Sequence, residues 1–160
     1  MAIAIRPIVS SDYPELLALN NEHAEELSLL TEESLARWVS VSFLAMRAEA
    51  HPAFLLAFDQ DAPYDSPNFL WFQQRMSHFV YVDRIVVGAS ARGLGLARTL
   101  YEDLFLKAKA AGHDRIVCEV NSDPPNPGSD AFHAALGFAV VGEAYVEARG
   151  KSVRYLQRNL

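Results

Sequence analysis

The sequence is poor in cysteine, in long apolar runs and in basic residues. Its single cysteine, Cys118, rules out an internal disulfide. No run of about 18 apolar residues occurs, so we expect no transmembrane helix. The 14 basic residues are outnumbered by 20 acidic ones, which gives a formal net charge of −6. This balance argues against non-specific binding to nucleic acid and mildly favours a cationic small partner.

What the sequence does contain is typical of one globular domain. Its 160 residues are 51% apolar and 21% charged, a composition that excludes a disordered or fibrous chain. Residues 1–7 do not combine a basic region, an apolar stretch and a small-residue cleavage site, so they do not predict a secretory signal. We therefore expect a reduced protein of the cytoplasm.

Apolar periodicity and turn-forming residues predict strands that alternate with helices. Strands are predicted over 2–6, 53–58, 79–87, 114–120, 138–145 and 152–156. A first helix is capped by Ser11 or Asp12, and a second begins after Thr31, extends through Met46 and is stopped by His51-Pro52. The inner stripe of the first helix comprises Leu16, Leu19, His23 and Leu27. Further helices are predicted over 67–76, 94–110 and 129–136. This order predicts an α/β fold in which the helix over 94–110 connects two parallel strands.

A strong strand leads through a glycine-rich turn into a helix between Val86 and Leu100. The start of a helix carries unpaired N–H groups and about half a positive charge. Glycines let such a backbone approach a phosphate closely, because no Cβ stands in the way. Arg92 and Arg98 would add positive charge at the same end, so the segment is a candidate phosphate-binding turn.

Two common phosphate-binding motifs do not fit this turn. It contains no lysine, which a P-loop requires. In a dinucleotide fingerprint, Gly93 and Gly95 would need a third glycine where Arg98 stands. Taken alone, the turn is also compatible with a tight strand-to-helix connection that binds no ligand.

A third pattern fits, because Arg92-Gly-Leu-Gly95-Leu-Ala97 matches Arg/Gln-x-x-Gly-x-Gly/Ala at its three fixed positions. Here the chain resembles the GNAT superfamily of acyl-CoA-dependent N-acetyltransferases, in which this turn holds the pyrophosphate of acetyl-CoA. The resemblance continues through the strand over 115–120, then Asn126 and Leu136-Gly-Phe138. It covers almost the whole chain and implies a single domain over 1–160. The implied fold is a mixed central sheet of about six to seven strands flanked by helices.

The resemblance implies that acetyl-CoA is the co-substrate and indicates which residues bind it. The backbone N–H groups of Ile85, Val86 and Val87 would polarise the thioester carbonyl. Asn126 would contact CoA. The inserted residues 122–125 lengthen the usual spacing between Glu119 and this asparagine, so Asn121 is an alternative candidate for the contact. The turn residues expected to hold the cofactor are Arg92, Gly93, Leu94, Gly95, Leu96, Ala97 and Arg98.

Glu119 is the first candidate for the general base. It lies in the middle of an apolar strand, where burial would raise the pKa of its carboxyl towards a useful range. In the amino-terminal acetyltransferases of the superfamily, a glutamate followed by valine at this position is the base, as in Glu119-Val120. The alternative is an edge or surface glutamate paired with Arg115. Asp83 is a second candidate base, and a structural pair with Arg84 is equally compatible.

The general acid is the main departure from the family pattern. The family places a tyrosine four residues before the glycine of Leu-Gly-Phe, whereas this chain has His133 there. An imidazolium near pKa 6.5 can give its proton to a thiolate near 8.5. We therefore expect His133 to act as the acid, with binding of CoA or local capping as the alternative.

Acceptor specificity is expected from segments that the family does not fix. Aromatic residues around the insertion over 59–76 could line an acceptor pocket or cover a cation, with core packing or a dimer contact as the alternative. They are Tyr64, Phe69, Trp71, Phe72 and Tyr81. Acidic residues could attract an amine, although a solvated surface is the simpler interpretation. They are Glu22, Glu25, Glu26, Asp61 and Asp65. The histidines lack the spacing of metal ligands, so no metal is expected.

Together these features predict an enzyme that transfers acetyl directly from acetyl-CoA to a primary amine. The acceptor would be a small molecule, an amino acid or a peptide amino terminus, with no nucleic-acid or membrane partner. The alternative is an acyl-CoA-binding sensor or regulatory module that has lost catalysis, which the histidine at 133 motivates. Because homodimers are common in the superfamily, a homodimer is expected.

Overall fold

The computed structural model describes residues 2–23 and 29–160. Seven strands within those residues form one mixed sheet in the order β1-β2-β3-β4-β5-β7-β6. The strands are β1 (Ile5–Pro7), β2 (Leu44–Ala48), β3 (Ala53–Asp59), β4 (Val80–Val87), β5 (Arg115–Asp123), β6 (Ala139–Val146) and β7 (Lys151–Asn159). The helices are α1 (Tyr13–Glu22), α2 (Glu32–Val41), α3 (Pro67–Gln73), α4 (Leu96–Ala110) and α5 (Pro127–Ala135). The predicted α/β fold and its mixed sheet are confirmed.

The first two helices begin where the sequence places them. Pro14 lies in the first turn of α1, and the Thr31 side chain accepts a hydrogen bond from the Ser34 amide at the start of α2. Leu16 and Leu19 are buried as predicted, whereas the predicted inner position at Leu27 lies outside the described residues. The residues that the structure describes contain no helix that is long and apolar enough to cross a membrane.

The prediction that the second helix extends to Met46 is wrong. Helix α2 ends at Val41, and Leu44–Ala48 forms β2, antiparallel to β1 and β3. In β2, Met46 and Ala48 are buried against the core while Arg47 points the other way, to carboxylates of Asp12 at 3.1 Å and Glu15 at 2.6 Å. Over so short a stretch, apolar residues spaced for a helix also satisfy strand alternation, so the sequence pattern does not separate the two.

Helices cover both faces of the sheet. On one face α4 packs over β2, β3 and β4 and buries Leu96, Leu100 and Leu104 in the core. On the other face α1 and α2 cover the half of the sheet near β1, and α3 packs Phe69 and Phe72 against the centre. This three-layer arrangement leaves the ends of the central strands as the place for a site.

The two central strands separate soon after they meet. β4 and β5 are parallel, as predicted, but pair only at Val80↔Ile116 and Tyr81↔Val117. The register of β4 against β3 then skips one residue, since Leu56 pairs with Arg84 and Ala57 with Val82. Asp83 is therefore the extra residue of a β-bulge, and a bulge bends its strand. The bend turns β4 away from β5 and opens a gap between them.

Candidate active site

A cleft of about 410 Å³ lies where β4 and β5 diverge. Residues 82–85 of β4 form one wall and residues 118–121 of β5 form the other. Tyr101 of α4 and His133 of α5 also line it, and Arg149 and Lys151 line it from the turn between β6 and β7. The cleft therefore contains two of the three predicted catalytic residues in its walls, Asp83 and Glu119, and the third, His133, beside them.

The Glu119 carboxylate is held in a fixed orientation by two donors from different elements. The Tyr81 hydroxyl donates to Oε1 at 2.6 Å and approaches Oε2 at 3.1 Å. The Asn68 side-chain amide donates to Oε1 at 2.8 Å. Since both shorter hydrogen bonds go to Oε1, Oε2 is the oxygen better placed to accept a proton from a molecule in the cleft.

The environment of Glu119 makes its carboxyl a much weaker acid than usual. Burial, together with the negative charge of Asp83, raises the pKa of this carboxyl from 4.5 to about 7. The hydrogen bond from Tyr81 and the positive charge of Arg149 act in the opposite direction. A carboxylate with a pKa near 7 can take a proton and release it again at physiological pH, which is what a general base requires.

Asn68 is a site residue that sequence analysis missed. It is 2% exposed and lies in the first turn of α3, which the insertion over 59–76 contributes. Its Oδ1 accepts a hydrogen bond from the Tyr155 hydroxyl at 3.0 Å while its amide donates to Glu119. An asparagine after a helix-starting proline looks like a capping residue in the sequence, and nothing local indicates that it reaches a strand about 50 residues away.

Asp83 lies in the cleft wall but is already paired. Its side chain is 4% exposed and accepts hydrogen bonds from Arg84 Nε at 2.7 Å and the Tyr64 hydroxyl at 2.5 Å. Arg84 in turn donates to Asn20 of α1 at 2.8 Å. These contacts match the structural alternative for the pair, and they leave Glu119 as the better-placed base.

His133 does not have the environment that the predicted acid needs. It is 4% exposed, and burial lowers the pKa of its imidazole below 6.5, which favours the neutral ring. Its Nδ1 lies 2.8 Å from the Ser129 carbonyl oxygen, which can only accept, so Nδ1 carries the proton. Nε2 then accepts from the Tyr101 hydroxyl at 2.8 Å. This arrangement disfavours an imidazolium donor at this position, because the ring has no proton to give on the Tyr101 side.

The glycine turn has the conformation that only glycine adopts easily. Gly93 has φ +83° and Gly95 has φ +79°, and Gly95 directly precedes α4. A Cβ on Gly93 would meet no atom within 4 Å, so the turn presents bare, open backbone. Such a cradle at the start of a 15-residue helix suits a phosphate. The residues present therefore fit the pyrophosphate of acetyl-CoA.

The side chains of the turn differ in exposure. Arg92, Leu94 and Arg98 are exposed, and Ala97 is half-buried. Leu96 is 2% exposed and packs in the core under α4, so only its backbone could face a ligand. Arg98 forms an exposed pair with Glu102 at 3.6 Å, an interaction weak enough for a phosphate to replace.

Other predicted cofactor contacts lie along the cleft. Ile85 lines it, and the stretch Ile85–Val87 belongs to the part of β4 beyond its pairing with β5. Asn121 and Asn126 both line the cleft, so both candidates remain. The Asn126 Oδ1 accepts from the Ser129 amide at 3.3 Å and caps α5.

The aromatic residues predicted to bind the acceptor are mostly core residues. Phe69, Phe72 and Tyr81 are fully buried, in line with the packing alternative, and Tyr81 sends its hydroxyl to Glu119. Trp71 stacks on Tyr155 at 4.0 Å between ring centroids. Tyr64 lines a second pocket beside Trp38, and its hydroxyl donates to Asp83 in the wall of the cleft.

The acidic residues give no sign of a cation site. Of those predicted to attract an amine, Glu25 and Glu26 lie outside the described residues, and Glu22, Asp61 and Asp65 do not line the cleft. In the part of the chain that the structure describes, no group of three or more potential metal ligands occurs.

Comparison with known proteins gives a family match. The chain matches the model of the acetyltransferase (GNAT) family over residues 19–138. No curated protein sequence matches it.

Several solved structures share the fold at low sequence identity. The ribosomal-protein-alanine N-acetyltransferase of Brucella melitensis has a TM-score of 0.76 and 22% identity, over 99% of this chain and 100% of that one. The ribosomal-protein-S18-alanine N-acetyltransferase of Escherichia coli has a TM-score of 0.72 and 16% identity, over 99% and 94%. YncA of Salmonella typhimurium, solved with its cofactor acetyl-CoA, has a TM-score of 0.73 and 17% identity, over 100% and 95%.

Proposed function

Since this chain belongs to the GNAT family of acetyltransferases, we propose that it transfers acetyl directly from acetyl-CoA to a primary amine, with Glu119 as the general base. The acceptor is a small molecule, an amino acid or a peptide amino terminus. The ribosomal-protein-alanine N-acetyltransferases among its structural neighbours favour the last of these. A cytoplasmic homodimer remains the expected setting.

The observation that carries this proposal is the placement of Glu119. Its carboxylate has a pKa of about 7 and lines the cleft between β4 and β5. The β4 wall of that cleft leads directly into the glycine turn at the start of α4. A base in the cleft and a phosphate cradle that follows the same strand in the chain suit a long phosphorylated donor whose reactive end reaches the base.

Different residues of the chain carry out different steps of the reaction. Acetyl-CoA, when bound, supplies an activated acetyl group as a thioester. Glu119 takes one proton from the ammonium of the acceptor, which makes its nitrogen nucleophilic. Backbone N–H groups over 85–87 donate to the thioester oxygen as negative charge develops there. The nitrogen's second proton neutralises the departing sulfur and the third remains on the amide, so the protons balance.

Tyr101 takes the role that the tyrosine of the family pattern would have near sulfur. Its hydroxyl lines the cleft wall at 2.8 Å from His133 Nε2. When sulfur carries negative charge, the hydroxyl can rotate from the neutral imidazole and donate a hydrogen bond to it. His133 is then a positioning residue that holds Tyr101, not a proton donor.

Replacing Tyr101 by Phe is expected to lower kcat about tenfold, since one hydrogen bond to a charged group is lost in the transition state. The KM for acetyl-CoA should change little. Steady-state assays of thiol release would measure both constants, with Tyr145→Phe on the exposed surface of β6 as the matched control. A kcat within twofold of the wild type would remove Tyr101 from the mechanism.

The experiment that tests the function is an assay of free CoA released from acetyl-CoA across a panel of amines. The panel includes polyamines, free amino acids and short peptides with unblocked amino termini. Release that depends on an amine, with acetylation of that amine verified by mass spectrometry, is the expected result. If acetyl-CoA binds but no amine is acetylated, the sensor replaces the enzyme as the function.

The dependence of kcat/KM on pH should follow the protonation of Glu119. Because the pKa of its carboxyl is raised to about 7, the base is protonated below that pH and ionised above it, so kcat/KM should rise as pH increases through 7. Asn68→Leu removes a donor to the ionised form, so the apparent pKa should rise by about one unit.

The matched control for Asn68→Leu is Tyr155→Phe. It removes the hydroxyl that donates to Asn68 but keeps the hydrogen bond from Asn68 to Glu119. Its pH profile should stay within a few tenths of a unit of the wild type, whereas a purely structural role would give the same shift for both variants. Equal shifts would contradict the assignment of Asn68 as the residue that tunes Glu119.

A further inference from the structure

The side of the cleft that faces Glu119 carries positive charge in an acidic chain. Arg149 ends the short turn Glu147–Arg149, and Lys151 begins β7 after Gly150. Both line the cleft that contains Glu119. The other charged pair in its walls, Asp83 and Arg84, is internally neutralised at 2.7 Å. Among the described residues, Arg149 and Lys151 are therefore two cations that line the same cleft as the Glu119 carboxylate.

Arg149 is anchored beside the residues that position the base. Its Nη2 donates to Ser66 Oγ at 3.2 Å, and Ser66 is 6% exposed at the start of α3. Two residues further on, Asn68 donates to Glu119. Arg149 is also near enough to Glu119 for its charge to favour the ionised carboxylate. The guanidinium is thus anchored at the start of the same helix that donates a hydrogen bond to the base.

This charge lies on the acceptor side of the sheet. Glu119 points towards α3, whereas Cys118 and Val120 pack in the core under α4, the helix that follows the glycine turn. Arg149 contacts α3, so the sheet separates it from the body of α4. Its location makes it a poor candidate for the phosphate site at the start of α4 and a good one for a group on the acceptor.

An acceptor that brings only an ammonium group would be repelled by these cations. An acceptor with an anionic group close to its amine would be attracted, because a guanidinium binds a carboxylate through paired N–H donors. We propose that Arg149, assisted by Lys151, is a carboxylate subsite, and that the preferred acceptor carries a carboxylate a few ångströms from its reactive amine. This inference rests on the proposed function and specifies its substrate class.

The carboxylate could be the α-carboxylate of a free amino acid or the side chain of an acidic residue near a peptide amino terminus. Two matched pairs distinguish these sources. The first pair is alanine and alaninamide, and the second is an amidated peptide beginning Ala-Glu and its Ala-Gln counterpart. The charged member of at least one pair should have a kcat/KM about tenfold higher or more, and the advantage should shrink as salt is added.

The variant Arg149→Met keeps the length of the side chain and removes its charge, so it should reduce that preference to about twofold or less. Arg149→Glu should reverse it. Arg115→Met is the matched control, since Arg115 pairs with Asp114 outside the cleft and should leave the preference intact. No preference in the wild type, or a preference that survives Arg149→Met, would overturn the proposal.

A binding measurement separates failure of this inference from failure of the proposed function. Calorimetric titration of the same four acceptors into the wild-type protein with bound CoA requires no turnover. Tighter binding of the charged member, lost in Arg149→Met, would support the subsite even if no amine is acetylated. Equal binding within both pairs would overturn the subsite even if acetylation occurs.

Discussion

Replacing Glu119 by Gln is expected to lower kcat by a factor of about 10²–10⁴ near pH 7.5 while the fold and the binding of acetyl-CoA persist. Glutamine has nearly the same shape, and its carbonyl oxygen can still accept from Tyr81 and Asn68, the two donors to Oε1. What it cannot do is take a proton. The variant therefore removes the chemistry and leaves the hydrogen-bond network in place.

The size of this defect should itself depend on pH. A free α-amino group has a pKa of about 7.7–8.0, so at higher pH the solution supplies more acceptor that is already unprotonated. The gap between wild type and Glu119→Gln should narrow as pH rises through that range. Thiol-release assays from pH 6.5 to 9.5 would measure it, with Glu143→Gln on the exposed surface of β6 as the control.

Retention of more than about a tenth of the wild-type kcat at pH 7 would show that Glu119 is not the base. Asp83 would then be the remaining carboxylate among the described residues that line the cleft, and its own amide variant would have to show the loss of kcat. Asp83 is paired with Arg84 and Tyr64. We therefore expect the main effect of Asp83→Asn to be a lower free energy of unfolding, and its effect on kcat to be the minor one.

Replacing Gly95 by Val is expected to abolish the stabilisation that acetyl-CoA gives to the wild-type protein. At 100 times its Kd, a ligand stabilises a protein by about 2.7 kcal/mol, which corresponds to a rise in Tm of about 5–10 °C for a domain of this size. Gly95 has φ +79°, where a β-branched residue is strongly disfavoured. The backbone would leave the conformation that presents its N–H groups to a phosphate.

Gly112 provides a control with the same strain at the other end of α4. It has φ +90°, and a Cβ there would meet no atom within 4 Å. Gly112→Val should lower the Tm of the free protein about as much as Gly95→Val does, by strain of about 1–3 kcal/mol. It should, however, keep the full thermal shift with acetyl-CoA. A normal shift in Gly95→Val would mean that the turn does not hold the cofactor.

The sequence predicted those parts of the protein that depend on local order along the chain. The strand, the glycine turn and α4 are contiguous, and the positive φ of Gly93 and Gly95 follows from the need for a tight turn. Glu119 was found because a single carboxylate interrupts an apolar strand. Such signals can be read from the sequence, because residues that are close in the chain are also close in the structure.

The parts that were missed depend on contacts between distant segments. Asn68 reaches Glu119 from a helix 51 positions earlier, and Tyr101 bonds Nε2 of His133 from 32 positions away. Sequence analysis assigned the acid role to His133 from its position alone, without the burial that keeps the ring neutral. Strand β2 was taken as helix because its pairing with β1 and β3 is not visible in its own five residues.

The bulge in β4 means that the bend beside the cleft depends on one extra residue, Asp83. Val80 and Val82 before the bulge pack on the α4 side, and so do Ile85 and Val87 after it. A strand lacking Asp83 would alternate regularly and still place all four on that side. The apolar core of β4 therefore does not need the extra residue, whereas the bend does.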